Sequence, residues 1–410
     1  MDYFVAKYGS DVNPGTEDAP FLTINKAASV AYAGDTVTVR EGVYREWVDP
    51  SHPGTESAPI VYQAAEGEQV VITGSEEFGT WNRGADGIWT AKVSNSVFGS
   101  RHPYQERVAG DWMMHFGPEE ERSHTGSLYL DGKVMREVFR REDLPKAETC
   151  AWFAVVDPEN TTFFGNFQGV NPNEHFTEYT ARPNVFWPEK TNMDYITVRG
   201  FELRHAATNW APPTGLQEGL IGPHWAKGWV IEQNVIHDTM CVGVSLGKDV
   251  TSGDNEWNRL KIKEGTQRER ESIFRALHRD WDKRFIGSHV VRDNVIYNCE
   301  QAGIVGHLGG AFSVIEDNHI HHINNKQDLA GAEIGGIKMH AAIDVMIRRN
   351  HFHHCTRGLW LDWQAQGTRV TQNLFHDNVP PQGTKITNSL ALGEDIFVEV
   401  SHGPTLIDNN

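Results

Sequence analysis

The sequence predicts an all-β protein that is built as a solenoid and carries a second β domain inserted in it or flanking it. Its 410 residues suffice for two or three compact domains or for one elongated repeat array. Its 39 glycines favour turns and β structure, and 39% hydrophobic residues can bury a large core. From about residue 191, a unit of two short apolar strands joined by an Asn recurs along the chain, which is typical of a β-solenoid.

Residues 1–75 are predicted to form the N-terminal part of the solenoid. Thr23 is a suitable N-cap, and the apolar residues that follow it lie at helical spacing, so we expect a short capping helix over 23–31. Strand-like segments lie on both sides of this helix, at 3–6, 36–39, 59–62 and 70–74.

Residues 76–190 differ in character from the rest of the chain. Strand-like pieces at 126–130 and 152–156 are scattered among loops that are rich in aromatic residues. We interpret this segment as an inserted or flanking β domain.

Residues 191–410 are predicted to form the repeating rungs of the solenoid. The recurring asparagines are Asn234, Asn294, Asn318, Asn350, Asn373 and Asn409. The shortest steps between them are 23 and 24 residues, and the longer steps carry insertions. Stacked amides can bond the neighbours above and below, so we predict an Asn ladder.

The longest insertion covers about 248–288 and contains a charged helix at 269–278. A charged helix on the side of a solenoid is usually a solvated cap or an interface, so we assign it no chemistry.

A third strand precedes the Asn of the next unit, and its last residue is polar or charged in each case. His307, His340, Asp362 and Glu399 lie ten or eleven residues before the following Asn. These four residues are therefore predicted to stack in one column, one residue per rung, on one face of the solenoid.

The stacking of Asp362 on Glu399 has a chemical consequence. Neighbouring parallel strands lie about 4.7–4.9 Å apart, so the two carboxyl groups are expected roughly 5 Å apart. Repulsion between stacked carboxylates raises the pKa of one and leaves the other ionised, which yields an acid and a nucleophile. A separation of about 5–5.5 Å suits a retaining glycoside hydrolase, whereas an inverting enzyme needs about 6.5–9.5 Å.

The alternative for this pair is two solvated surface acids that stack by chance. Aromatic neighbours (Trp360, Trp363 and Phe397) and the two histidines below favour the catalytic interpretation. The histidines themselves could simply be hydrogen-bonded turn residues. Glu394 and Asp395 compete with Glu399 for its role, but they lie in the preceding loop, and Glu333 is a further candidate at the edge of the groove.

Several motifs together resemble glycoside hydrolase family 120, the β-xylosidases with a right-handed parallel β-helix. They are GLWLDWQAQGTR at 358–369, FVEVSHGP at 397–404, AATNWAPPT at 206–214, GLIGPHW at 219–225, and the opening from Gly9 to Gly42. The resemblance implies that Asp362 is the nucleophile, that Glu399 is the acid/base and that Glu333 is a further acidic residue of the active site. It also implies a β-sandwich-like flanking domain and oligomeric assembly.

The resemblance predicts retaining hydrolysis of terminal β-linked xylose from xylo-oligosaccharides, without a cofactor or a metal, although Ca²⁺ is compatible with the fold. The predicted substrate contacts are Glu333, His340, Lys338, Trp360, Trp210 and His307, with Trp210 or Trp360 stacking on a face of the sugar. Family members are longer, and this chain ends eleven residues after Glu399. We therefore expect either that the chain is a fragment of a longer enzyme or that another segment completes the β-helix.

Two alternative functions remain open at this point. One is a polysaccharide lyase on the same solenoid, which would usually need Ca²⁺ and a base, with Lys338 and Arg369 as the nearby candidates. The other is a carbohydrate-binding solenoid without catalysis.

Composition excludes other classes of partner. The net charge of −18 disfavours nucleic acid and anionic membranes, which require a positive surface. No run of 18 apolar residues is present, and the start of the chain lacks the pattern of a signal peptide. Four cysteines without a C-x-x-C pair indicate no disulfide framework, so we expect a cytoplasmic protein.

Overall fold

The structure is a computed structural model that describes residues 1–115, 118–253, 263–382, 384 and 392–410. In these ranges, three parallel sheets wind around one apolar core, and strands of consecutive rungs pair in register. This arrangement is a parallel β-helix, which confirms the predicted fold class.

The three sheets form the three faces of the β-helix. The first sheet contains, in spatial order, Asp2–Val5, Thr36–Val39, Ile60–Ala64, Ile196–Arg199, Val230–Glu232, Val290–Arg292, Val314–Glu316, Met346–Arg348, Thr368–Thr371 and Thr405–Asp408. The second sheet contains Gly42–Arg45, Val70–Thr73, Glu202–Arg204, Val235–Thr239, Val295–Cys299, His319–His321, His351–His353 and Leu374–His376. The third sheet contains Val242–Ser245, Ala302–His307, Gly335–His340, Leu359–Asp362 and Ile396–Glu399.

An Asn ladder lines the turn between the first and second sheets, as predicted. Asn318 Nδ2 donates to Asn350 Oδ1 at 2.9 Å, and both side chains are buried. The last ladder residue is Asn410 and not Asn409, because Asn373 Nδ2 donates to Asn410 Oδ1 at 2.8 Å. The residue before each ladder Asn, which is Asn409 on this rung, has φ near +55° to +59°. The sharp turn needs this left-handed residue, so the ladder position follows it.

The N-terminal helix, α1, spans Ile24–Val30. Thr23 caps it, since its side chain accepts a hydrogen bond from the backbone N–H of Lys26 at 3.1 Å. Ile24, Ala27 and Ala28 are fully buried against the first rungs, so the predicted helix, cap and apolar face are confirmed.

The inserted domain is a pair of sheets that pack on a separate apolar core. One sheet contains Lys133–Val134, Leu128–Leu130, Thr177–Thr180 and Ser75–Glu77. The other contains Arg136–Glu137, Ala151–Val156, Asn160–Asn166, Trp89–Ser94 and Asn82–Arg83. The core between them includes Leu128 and Tyr179 from the first and Trp152 and Phe163 from the second, as in a β-sandwich.

The inserted sheets begin at Ser75 and end at Thr180. Phe186 already forms parallel bridges with Val48 and Ile221, and Ile221 bridges Val244 of the third sheet. The chain therefore returns to the β-helix within the range 76–190 that we assigned to the insertion. A short antiparallel pair, Met113–Met114 with Ala330–Gly331, joins the inserted domain to the β-helix.

A second helix, α2, spans Gly265–Ala276, four residues earlier than the predicted start at 269. Residues 254–262 of the predicted insertion lie outside the described residues. Short 3₁₀ segments occur at Asn95–Phe98, Glu119–Glu121, Arg141–Lys146, Pro172–Glu174 and Val250–Ser252. Among the described helices, none combines the length and the apolar composition that a bilayer span requires.

Candidate active site

The third sheet stacks the four predicted column residues in register. His307 is the Cα partner of His340, His340 is the partner of Asp362, and Asp362 is the partner of Glu399. The correction of the last ladder residue to Asn410 makes the spacing of Glu399 eleven residues, equal to that of His307 and Asp362. The column predicted from the spacing is therefore present in the structure.

Alternation along each strand decides that this column faces outwards. Leu359 and Leu361 lie in the apolar core, so Trp360 and Asp362 project from the opposite side of the strand. Ile337 and Met339 of the neighbouring strand are core residues in the same way. Two outward columns result, one formed by Lys338, Trp360 and Phe397 and the other by His340, Asp362 and Glu399.

Asp362 is buried and its two oxygens have different environments. Oδ2 lies 2.6 Å from Lys338 Nζ, in a pair that is almost fully enclosed. Oδ1 is buried and has no hydrogen-bond partner among the described residues. An ionised Asp362 is thus held by a cation on one oxygen and presents the other oxygen for reaction.

Glu333 and His340 lie on the same side of Asp362. His340 Nε2 is 3.0 Å from Glu333 Oε2 and 3.7 Å from Asp362 Oδ2. Burial raises the pKa of Glu333 against the opposing charge of Lys338, and burial lowers the pKa of His340 to about 3. His340 and Glu333 therefore place a neutral imidazole and a buried carboxyl group beside Asp362, and both can form hydrogen bonds with a sugar.

Glu399 is less buried than Asp362. Its burial raises its pKa, and the negative charge of Asp362 raises it further, against Lys338 and Arg357. Glu399 therefore retains its proton to higher pH than an ordinary glutamate, which suits a general acid.

Arg357 is a site residue that the sequence analysis missed. Its side chain is buried, and its guanidinium carbon lies 4.1 Å from the ring centroid of Trp360 and 4.6 Å from that of Phe397. Lys338 Nζ lies 3.1 Å from the centroid of Trp360. Trp360 thus holds two cations close to the acids by cation–π contact. No periodic signal marks Arg357, because it precedes the strand.

Trp360 was predicted to stack on a sugar, and the two cations now occupy its ring. Its indole N–H is buried without a hydrogen-bond partner among the described residues, so this group is available to a hydroxyl. Trp210 lies apart from the column, in an apolar cluster where its N–H donates to the carbonyl of Asp111 at 2.9 Å. Its ring packs on Gly331, two residues before Glu333. Sugar stacking by either Trp stays a prediction.

Helix α2, which we expected to be a solvated cap or an interface without a chemical role, has a buried side that includes Glu269, Ser272 and Ala276. Glu269 is buried, and its Oε1 lies 2.9 Å from His307 Nε2. His307 is fully buried as well, next to His340, with ring centroids 5.6 Å apart. The helix thus covers the histidine end of the column with a carboxylate that local sequence patterns could not place, since 38 residues separate the pair.

Three other charged residues considered from the sequence have structural partners. Glu394 Oε2 accepts from Arg357 Nε at 2.8 Å, and Asp395 Oδ1 accepts from Asn378 Nδ2 at 2.9 Å. Arg369 lies on the first sheet, where it pairs with Asp408 at 2.7 Å. Lys338 and Arg369 therefore lie on different faces, so the two bases considered for a lyase do not form one site.

The ligand atoms of Glu333, His340 and Asp362 lie within 4.8 Å of one another, a spacing that a metal ion could bridge. The ammonium group of Lys338, 2.6 Å from Asp362 Oδ2 and 3.7 Å from Glu333 Oε2, already neutralises these carboxylates. A cation bound there would compete with Lys338.

Comparison with known proteins agrees with this geometry. The family described as "Glycoside hydrolase 120, insertion domain" matches residues 78–151, and the "Right handed beta helix region" matches residues 284–410, which confirms the predicted hand. The solved structure described as "The complex structure of XylC with xylose" is 48% identical, with a TM-score of 0.93. That similarity covers 99% of this chain and 65% of the XylC chain.

Two curated proteins share shorter segments with the chain. The "Uncharacterized protein YwoF" of Bacillus subtilis (strain 168) is 47% identical over 74 residues, or 18% of this chain and 16% of that protein. The "Pectate lyase PEL9" of Emericella nidulans is 43% identical over 81 residues, or 19% of this chain and 20% of that protein. The chain thus contains a match to the insertion domain of glycoside hydrolase family 120, and it is similar over nearly its whole length to XylC, of whose chain it spans 65%.

Proposed function

We propose that the chain carries the active site of a retaining β-xylosidase that releases terminal xylose from xylo-oligosaccharides. The observation that carries this proposal is the register pairing of Asp362 with Glu399 on adjacent parallel strands, whose spacing is about 4.8 Å. Carboxyl groups on strands at this spacing suit a double displacement, which needs about 5–5.5 Å between them, better than inversion, which needs about 6.5–9.5 Å.

In the first step, Asp362 Oδ1 attacks the anomeric carbon of the terminal sugar. The bond between that carbon and the glycosidic oxygen breaks, and the proton of Glu399 passes to the leaving oxygen. A covalent glycosyl-enzyme forms, and Glu399 is left as a carboxylate. Lys338 on Oδ2 holds the Asp362 carboxylate in position for this attack.

In the second step, Glu399 accepts a proton from a water molecule as the water oxygen attacks the anomeric carbon. The ester bond to Asp362 breaks, Asp362 regains its negative charge, and Glu399 regains its proton. The sugar leaves with the configuration that it had in the substrate.

The choice of xylose rests on the similarity to XylC, whose structure is described with xylose. Glu333, His340 and the N–H of Trp360 are the polar groups beside Asp362 that we expect to bond sugar hydroxyls. We propose that His307, through its contact with the ring of His340, supports this set rather than binding the sugar itself.

Trapping of the intermediate tests the proposal. A 2-fluoro xyloside with an activated leaving group should label the chain once, and peptide mass spectrometry should locate the label on Asp362. A label on Glu333 or Glu399 would overturn the assigned roles. With nitrophenyl β-xyloside as the substrate, NMR of the first product should show the β anomer, and an α product would exclude double displacement.

The lyase alternative predicts an unsaturated uronate that absorbs in the ultraviolet when a uronate polymer is supplied. Hydrolysis of xylobiose without such a product would exclude it, and affinity for xylobiose without turnover would favour the binding solenoid.

We also propose a cytoplasmic homo-oligomer. Support for the compartment comes from the four cysteines, which are free thiols, three of them buried. Light scattering of the purified chain tests the assembly, and a monomeric mass would contradict it.

A further inference from the structure

A row of histidines runs across consecutive rungs of the second sheet, on a different face from the candidate active site. We define the histidine row as His319, His321, His351, His353 and His376. It arises from a repeated pattern, Asn-His-x-His-His at 318–322 and 350–354, in which the middle residue is buried in the core. The two histidines on either side of this middle residue therefore project outwards and stack on the equivalent residues of the next rung.

The rings lie close enough to share an ion. His319 stacks on His351 with centroids 4.7 Å apart, and His321 stacks on His353 at 4.9 Å. His319 Nε2 lies 2.8 Å from His353 Nε2. His319, His351 and His353 each contribute one ring nitrogen to a set of three that lie within 4.8 Å of one another. All three are partly exposed, so an ion can reach them from solvent.

Two rings of the histidine row meet nitrogen to nitrogen, since His319 Nε2 faces His353 Nε2. Two imidazoles in contact through Nε2 atoms can share one proton but cannot both be charged. A neutral imidazole is the form that binds metal ions.

Partners on the far side of the rings orient the nitrogen atoms. His353 Nδ1 is 2.7 Å from His354 Nδ1, so its Nε2 is the atom that faces His319. His376 Nδ1 is 2.8 Å from Asp377 Oδ2, and its Nε2 lies 2.8 Å from His351 Nε2. A carboxylate on the outer nitrogen is the arrangement that orients metal-ligating histidines in proteins.

We propose that His319, His351 and His353 bind a divalent first-row transition ion of the zinc class, with His376 as a bordering fourth imidazole. Imidazole nitrogens bind zinc at about 2.0–2.1 Å, which places two ligands of a tetrahedral ion about 3.3 Å apart. The 2.8 Å contact of His319 with His353 would open by about half an ångström on binding. The ion would tie two consecutive rungs together without taking part in the sugar chemistry.

Zinc titration of the chain, prepared without an affinity tag and freed of metal by a chelator, tests this site. We expect one equivalent of Zn²⁺ by calorimetry, a higher melting temperature with zinc, and a visible spectrum of tetrahedral type with Co²⁺. The triple variant His319→Gln/His351→Gln/His353→Gln should lose affinity by about tenfold or more while keeping its β-xylosidase activity.

Two controls separate this site from other histidines and from the acids of the active site. The variant His52→Gln/His175→Gln/His278→Gln removes three histidines elsewhere and should bind zinc as before, and Glu333→Gln should do the same. If the triple variant does not fold, single His319→Gln replaces it. The proposal is wrong if the parent chain binds no zinc, or if binding survives in the triple variant or disappears in Glu333→Gln.

Discussion

Asp362 and Glu399 occupy the same position on adjacent strands of the third sheet, and they differ in what surrounds them. Asp362 is buried with the ammonium group of Lys338 2.6 Å from its Oδ2, whereas Glu399 is more exposed, and its burial and the charge of Asp362 raise its pKa. The two carboxyl groups of one stacked pair thus lie in different environments. This asymmetry is what a double displacement requires, since one group must attack as an anion and the other must donate a proton.

Replacement of Asp362 by Ala should abolish turnover, because it removes the carboxylate that attacks the anomeric carbon. We expect a loss of about 10⁴-fold or more in kcat with the circular dichroism spectrum unchanged. Azide should restore part of the activity and give a glycosyl azide of inverted configuration, which NMR can detect. Asp408→Asn, an acid on the first sheet, is the matched control and should stay active.

Replacement of Glu399 by Gln should affect substrates according to their leaving groups. Cleavage of xylobiose is expected to fall about 10²–10⁴-fold, because its leaving alcohol needs the proton, and a dinitrophenyl xyloside should suffer less in the first step. The raised pKa of Glu399 sets the alkaline limb of kcat/KM in the parent chain, where activity falls as the proton is lost. A pH profile of the variant that kept this limb would contradict the role.

Replacement of Lys338 by Met should lower kcat and move the acid limb of kcat/KM to higher pH. Burial raises the pKa of Glu333, and the positive charge of Lys338 partly lowers it again. Without Lys338 the pKa of Glu333 therefore rises further, and Asp362 loses the cation beside its Oδ2. We expect a shift of about one pH unit or more. Lys338→Arg should recover part of it, and Lys146→Met, at an exposed site, should leave the profile unchanged. An unshifted limb in Lys338→Met would mean that the 2.6 Å contact does not tune the acids.

Replacement of Asn318 by Ala should destabilise the β-helix from within its Asn ladder. Asn294 donates to Asn318 Oδ1 through its backbone N–H at 3.1 Å and through its side chain at 2.9 Å. Each buried donor left without an acceptor costs about 1–3 kcal/mol in the free energy of unfolding. Urea unfolding followed by fluorescence measures the loss. Asn325→Ala, at an exposed position, should change stability little, and equal stabilities for the two variants would refute a structural role for the ladder.

The rung architecture could be predicted because it is periodic. Each strand of a β-helix pairs with the equivalent strand of the next rung, so spacing along the chain translates into register. The column from His307 to Glu399 followed from that rule alone. The error at Asn409 arose because the turn puts its left-handed residue directly before the ladder residue, and two asparagines end the chain.

The surroundings of the column could not be predicted in the same way. Arg357, Glu394 and helix α2 lie outside the repeated strands, so no period relates them to Asp362. The buried contact of Glu269 with His307 depends on how a long insertion folds back on the sheet. The pairing of Ala330–Gly331 with Met113–Met114, close to Glu333, likewise depends on the docking of the inserted domain.

The repeat alone predicts which side chains stack on which, because a regular series of short strands has one register that keeps its apolar residues inside. That register places Asp362 and Glu399 on adjacent rungs of one column. The chemical difference between the two carboxyl groups comes from packing, which places Lys338 against Asp362 and raises the pKa of Glu399. That difference depends on burial and on cations such as Lys338 and Arg357, whose distances from the acids are set by packing between outward side chains and not by the repeat.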